Sequence, residues 1–423
     1  LAGFAALGFA FFSAEAAPNP DAYPTTRSKK GLQVQMVDDA ISLGVQHAAL
    51  NWNLAQMIDL GGETNSLRLE IGTNRFHFRR GYIEAMDGQV KALSDTGATV
   101  SLILLYYKSG QAELDRVMLH PKFSQEAPNG LSEFNTSNPE SAGWLQACFE
   151  FIARRYSEPG YPHGRAVNFI VGNEVNSHWF WANMGRVSME EFADDYLRAV
   201  RVCHAAVRKY AATSRVFLSL EHHWNIHYPG GDATQTFAAR PFLEYFARKA
   251  KEGGDFDWDV AFHPYPEDLF QCRTWNDKSA TFEDNTPRIT FKNLEMLTKF
   301  FEREAMRFDG KVRRIILSEQ GFHSAPGKEG EEAQAAAYAY AYYRVNKLPG
   351  IDSFILHRHV DHGQEGGLNL GLWGRKADSV ATPERKKPIY DVFRRADAAD
   401  WEDAFRFALP IIGVKAWSEI DPR

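Results

Sequence analysis

Short runs of aliphatic and β-branched residues alternate along this chain with longer stretches in which apolar residues recur every three or four positions. Fully apolar runs of four to eight residues suit strands covered on both faces, and the longer period suits amphipathic helices packed over them. The pattern predicts eight strands: Gly31–Gln35, His47–Leu50, Thr99–Tyr106, Ala166–Val171, Arg215–Leu220, Trp258–Phe262, Val312–Leu317 and Ser353–Leu356. The predicted helices are Met36–Leu43, Tyr82–Asp95, Ser141–Tyr156, Met189–Ala211, Phe242–Lys251, Asn293–Phe308, Ala333–Asn346 and Ile389–Ala398. Ser66–Ile71 and Arg75–Phe78, around Gly72-Thr73-Asn74, read as an inserted β-hairpin. Lys108–Asn138 reads as a long loop, and loops of that size in compact domains tend to be functional.

Strands alternating with helices imply a parallel sheet, and eight such units imply an α/β fold closed as a (β/α)8 TIM barrel. A doubly wound open sheet is the alternative, but no Gly-rich phosphate fingerprint opens a helix. With 423 residues there is room for a single barrel of about 250 residues with long loops at its C-terminal face. The expected organisation is residues 1–17 as a signal peptide cut short at its start, 18–30 as a leader, 31–400 as the barrel, and 401–423 as an extension packed on it. Leu1–Phe12 is almost wholly apolar and is followed by Ala14-Glu15-Ala16, which has the small-x-small form of a cleavage site. The run is shorter than the roughly 20 residues a spanning helix needs. A buried N-terminal helix is the alternative. The leader reading places the mature protein outside the cytoplasm, secreted or periplasmic, without stable membrane insertion.

Composition changes this picture little. At 44% hydrophobic and 24% charged residues the chain can build a large core, and a net charge of −6 with no basic stripe argues against nucleic acid as a partner. Three cysteines, Cys148, Cys203 and Cys272, form neither a disulfide framework nor a zinc pattern, and a Cys148–Cys203 bridge is left open. Aromatic residues make up 13%, including ten Trp, so both core packing and sugar-stacking platforms are on offer.

Barrel active sites sit where the strands end, so the residues closing each strand carry the chemistry. Strand four closes in Asn173-Glu174, strand seven in Glu319, strand five in Glu221-His222-His223-Trp224 and strand six in His263-Pro264-Tyr265. Strand eight closes in His357-Arg358-His359, strand two in Asn51-Trp52-Asn53, and strand three in Tyr106-Tyr107-Lys108. Strands four and seven lie on opposite sides of an eight-stranded barrel, so Glu174 and Glu319 should converge across its mouth. Glycoside hydrolysis needs such a pair: one carboxyl protonates the leaving oxygen and the other attacks the anomeric carbon or activates water.

Asn-Glu at the end of strand four with Glu at the end of strand seven resembles the clan A retaining glycoside hydrolases, in FIVGNEV and in IILSEQG. Through SKKGLQVQMVDDAISLGVQHAALNWNL the chain also resembles a family of secreted, glycoside-hydrolase-like bacterial proteins. The resemblance implies a poly- or oligosaccharide substrate, Glu174 as acid/base and Glu319 as nucleophile. It also implies Asn173 on a sugar hydroxyl, and His263 or Tyr265 beside Glu319. Further substrate contacts are expected from Asn51, Trp52, Tyr106, His178, His223, Trp224, His357, Arg358 and Trp373.

Two other function classes share these residues. A non-catalytic carbohydrate-binding barrel needs the aromatic cleft but not the opposed acids. A metal-dependent hydrolase or lyase can use the histidines near strand ends. Such barrels draw a His-x-His pair from strand one, whereas here that spacing occurs only in His357-Arg358-His359 on strand eight, so no metal and no cofactor is assigned.

Overall fold

The computed structural model describes residues 19–62 and 65–423; the apolar run and cleavage-site reading at Leu1–Ala17 lie outside the described residues. Eight parallel strands form the barrel: β1 (Lys30–Gln33), β2 (His47–Asn53), β3 (Thr99–Tyr107), β4 (Asn168–Val171), β5 (Arg215–Glu221), β6 (Trp258–His263), β7 (Ile315–Leu317) and β8 (Ile351–Leu356). They pair in sequence order, β8 pairs with β1, and β2 pairs with β3, which closes the ring. The fold is therefore a (β/α)8 TIM barrel with small antiparallel additions. One is the hairpin Leu67–Ile71 and Asn74–Phe78; another is Leu131–Ser132, which pairs antiparallel with the end of β3.

Strand alternation divides the core in two. Ala49, Ile103, Leu105, Ile170, Phe217, Ala261, Ile316 and Ile355 point inward and fill the barrel. Their neighbours Leu50, Leu102, Leu104, Val171, Leu218, Val260, Leu317 and Phe354 point outward under the helices. The major covering helices include Arg80–Ser94, Pro139–Ser157, Met189–Tyr210, Ala239–Glu252 and Lys328–Lys347. Local signals start several of them: the Asn138 side chain accepts from Ser141 N–H ahead of Pro139, and Ser188 accepts from Glu191 N–H.

Two predicted elements differ. The helix expected over Asn293–Phe308 spans only Glu295–Phe301, followed by a short 3₁₀ turn at Glu304–Met306. The loop after β3 carries its own helix, Ala112–Met118, and is anchored to Met189–Tyr210 through His120 Nε2, 2.9 Å from Asp195 Oδ2. Residues after 400 pack on Lys328–Lys347, with Trp401 and Trp417 against Tyr343, and Arg344 donating to the Ile420 carbonyl. All three cysteines are buried free thiols, so Cys148 and Cys203 are not bridged. Among the described residues no helix is long and apolar enough to cross a membrane.

Candidate active site

At the end of β4 the chain turns sharply. Gly172 has φ +75°, and Glu174 itself sits in the left-handed region at φ +40°, ψ +50°. A non-glycine residue there costs about 1–2 kcal/mol. The neighbouring strand holds the turn in place, since Ser219 Oγ on β5 accepts from Glu174 N–H at 2.9 Å. The turn aims the carboxyl at the barrel axis. Opposite, Glu319 stands two residues beyond β7, and a carboxylate oxygen of each acid lies within 4.8 Å of the other.

His263, ending β6, sits between them: Nδ1 is 2.9 Å from Glu174 Oε1 and Nε2 is 2.9 Å from Ser318 Oγ. Glu319 accepts from Gln33 Nε2 at 3.0 Å and from the Tyr265 hydroxyl at 3.4 Å. His357 Nε2 lies 2.7 Å from Glu365 Oε1, and Arg358 pairs with the same oxygen at 3.1 Å.

The two acids are driven apart. Burial raises the Glu174 pKa, and the charges of Glu319 and Glu221 add to this against the hydrogen bond from His263. Burial also acts to raise Glu319, but the charges of His357 and His263 and the Gln33 hydrogen bond outweigh it, and its pKa is lowered. His263 is raised: burial alone would lower it, and the carboxylates of Glu174, Glu319 and Glu221 prevail. The two carboxyls are thus displaced in opposite directions, the condition for paired acid and nucleophile chemistry.

Glu221, next to His263 in the β5–β6 register, is fully engaged. Its oxygens accept from Asn176 Nδ2 and Ser177 Oγ on one side and from His223 N–H on the other. Burial opposes its charge, but His223 and His222 hold its pKa down at about 2. It ties the loop after β4 to β5. Two groups of donors stand close enough for an ion among the described residues, Glu221–His222–His223 and Glu174–His263–Glu319. In the first, His223 Nδ1 is already on Glu221 and the His222 and His223 rings are stacked with centroids 4.4 Å apart. In the second, both His263 nitrogens are committed.

The other expected contacts divide by strand face. Asn51 shares the inward face of Ala49 and is exposed, and its side chain makes no hydrogen bond to described residues; Asn173 is half-buried and its side chain is equally free. Trp52 and Tyr106, expected at the mouth, point the other way. Trp52 is fully buried against Tyr82 and Tyr156, and the Tyr106 hydroxyl donates to Asp115 under the following loop. A shift of one residue along a strand exchanges faces, and these two residues are on the helix side. Trp224 is likewise core, edge-on to Phe262 and Phe300. His178 is a buried packing histidine stacked on Phe237, its pKa lowered to about 4 by burial. Trp373 donates its indole N–H to Asp39 and packs on Tyr390, neither of them a partner of Glu174 or Glu319. His223 is buried against Glu221.

Sequence reasoning missed Gln33, Tyr107 and Glu365. For the first two a signal existed, because Gln33 shares the face of Gly31, and Tyr107 that of Ile103 and Leu105. Tyr107 and Trp181 pack on the inward cluster at the mouth, and burial, with a smaller contribution from the Glu319 charge, raises the Tyr107 pKa. Glu365 lies in the loop after β8 and has no local signature.

The sequence profile described as "Family of unknown function (DUF5722)" matches residues 22–420. No curated protein matches the chain. Among solved structures, a family 39 glycoside hydrolase from Bacteroides cellulosilyticus WH2 superposes with TM-score 0.54 at 15% identity, over 88% of this chain and 63% of that one. The hyperthermophilic β-glucosidase of Pyrococcus furiosus gives 0.52 at 15% identity, covering 89% and 86%. A monomeric β-xylosidase from Caulobacter crescentus CB15 gives 0.50 at 16%, covering 89% and 69%. At such identities the likeness establishes the barrel fold; the chain spans under two thirds of the length of the first.

Proposed function

The chain belongs to the DUF5722 family, and we propose that it is a retaining glycoside hydrolase acting on a poly- or oligosaccharide. The observation that carries this reading is the pair of oppositely perturbed carboxyls, Glu174 and Glu319, within 4.8 Å at the ends of β4 and β7. Retaining enzymes hold their acids about 5–5.5 Å apart, whereas inverting enzymes need about 6.5–9.5 Å to admit a water between. The likeness of the barrel to glycosidases supports the substrate class.

In the first step Glu319 attacks the anomeric carbon while Glu174 gives its proton to the departing glycosidic oxygen. The bond to that oxygen breaks and a glycosyl ester on Glu319 forms. In the second, Glu174, now ionised, takes a proton from water; the water oxygen attacks the same carbon and Glu319 leaves. Two inversions give net retention. His263 orients Glu174, and Gln33 and Tyr265 orient Glu319. Asn51, Asn173, Tyr107 and Trp181 are the groups available to hold sugar hydroxyls and faces. A secreted or periplasmic location follows from the leader reading and is part of this proposal.

The test is a broad panel of polysaccharides and aryl glycosides, with Glu319→Gln as the control and the first-formed anomer read by proton NMR. We expect turnover with retained configuration, lost in the variant. Unchanged turnover by Glu319→Gln, or an inverted first product, overturns the assignment.

A further inference from the structure

We propose that Glu365 and His357 are positioning residues that keep Glu319 ionised, acting through a hydrogen-bonded chain Glu365–His357–Gln33–Glu319. The protonation pattern follows from donor and acceptor chemistry alone. Gln33 Nε2 donates to Glu319 Oε2 at 3.0 Å, which turns the amide oxygen toward His357 Nδ1. An amide oxygen only accepts, so Nδ1 carries a hydrogen. The other ring nitrogen, Nε2, lies 2.7 Å from Glu365 Oε1. The Arg358 guanidinium, a permanent cation, stands 3.1 Å from that oxygen and favours the ionised carboxylate. An ionised carboxylate also only accepts, so Nε2 carries a hydrogen too. An imidazole with both nitrogens protonated is a cation.

His357 is thus an imidazolium lodged between two carboxylates, Glu319 from the end of β7 and Glu365 from the loop after β8. Arg358 and His362 are the remaining charged or titratable groups of that loop which act on this cluster. Its charge is the strongest influence favouring ionised Glu319. Glu365 sets that charge from outside the reacting pair, and Gln33 transmits the alignment. That Glu319 is a nucleophile rests on the function proposed above; the protonation of His357 does not.

The relay and simple electrostatics predict opposite outcomes for Glu365→Gln. Removing a nearby anion should by itself favour ionised Glu319 and move the acid limb of kcat/KM to lower pH. Losing the imidazolium should do the reverse. In full-length protein labelled with ¹⁵N-histidine, long-range proton–nitrogen spectra at pH 7 should give His357 the pattern of an imidazolium, assigned by its disappearance in His357→Gln. In Glu365→Gln the pattern of a neutral tautomer should replace it. A neutral His357 in the unmodified protein overturns the proposal. On an aryl glycoside that the enzyme turns over, the acid limb should rise by about one pH unit in Glu365→Gln. An unmoved or lowered limb also overturns it. His357→Gln, which removes the cation directly, must raise the same limb, and it decides the matter should Glu365→Gln fail to fold. Absence of turnover on every glycoside would instead count against the glycosidase reading, with the spectra still deciding the relay.

Discussion

Glu174 and Glu319 bring carboxylate oxygens within 4.8 Å of each other from opposite sides of the barrel, and their pKa values are displaced in opposite directions. Burial raises both and His263 lowers both, so the difference comes from the other partners: the charges of Glu319 and Glu221 act on Glu174, while His357 and Gln33 act on Glu319.

Activity should therefore follow a bell in pH, with Glu319 ionising on the acid limb and Glu174 losing its proton on the alkaline limb. Because the Glu174 pKa is raised, the acid form survives to higher pH than an ordinary carboxyl, and because Glu319 is lowered, the nucleophile survives to lower pH. On a glycoside with an acidic phenol as leaving group, Glu174→Gln should abolish the alkaline limb of the first step while retaining glycosylation. A pre-steady-state pH profile with that limb intact would refute the assignment of Glu174.

Glu221 contributes to stability with a definite sign. Its pKa falls from 4.5 to about 2 on folding, a shift worth about 3 kcal/mol at neutral pH. A folded-state pKa below the unfolded one adds stability that is present above about pH 5 and lost as pH falls toward 2. The difference in unfolding free energy between wild type and Glu221→Gln, from urea titrations, should shrink over that window. A difference that grows on acidification would contradict it.

Trp52 and Trp181 should separate packing from binding. Trp52→Ala empties a fully buried site and should cost about 3–5 kcal/mol of stability with KM unchanged in the folded fraction. Trp181→Ala should raise KM about five- to ten-fold, equivalent to about 1 kcal/mol of lost ring stacking. Equal effects of the two substitutions on KM would remove Trp181 from the cleft.

Gly321 lets β7 approach β8, since a Cβ there would stand 2.2 Å from the His357 carbonyl oxygen. Gly321→Ala should push the two strand ends apart and lower kcat/KM at least ten-fold by misaligning Glu319. Gly110→Ala, at a site with open space but positive φ, should cost stability by about 1 kcal/mol and leave kcat/KM in place. Chemical denaturation and steady-state kinetics on both variants check this.

Much of the fold was legible because periodicity is local. The eight apolar runs mark strands without reference to anything distant, and counting them put Asn173-Glu174 and Glu319 at the ends of the fourth and seventh. The helix expected over Asn293–Phe308 was overextended, since its C-terminal part is a 3₁₀ turn whose Ala305 and Met306 carbonyls accept from Lys251 and Arg313.

The sequence by itself determined the barrel and the two acids, because strand order and strand ends follow from hydrophobic spacing along the chain. Only the tertiary structure decided which way each strand was rolled, and so turned Trp52 and Tyr106 outward while leaving Asn51 and Tyr107 at the mouth. It alone brought Gln33 to Glu319 across 286 residues of chain and to His357 across 324. Charges act through space, so the opposite displacement of the pKa values of two similar glutamates is a property of their neighbours across the barrel and not of the residues beside them in the chain.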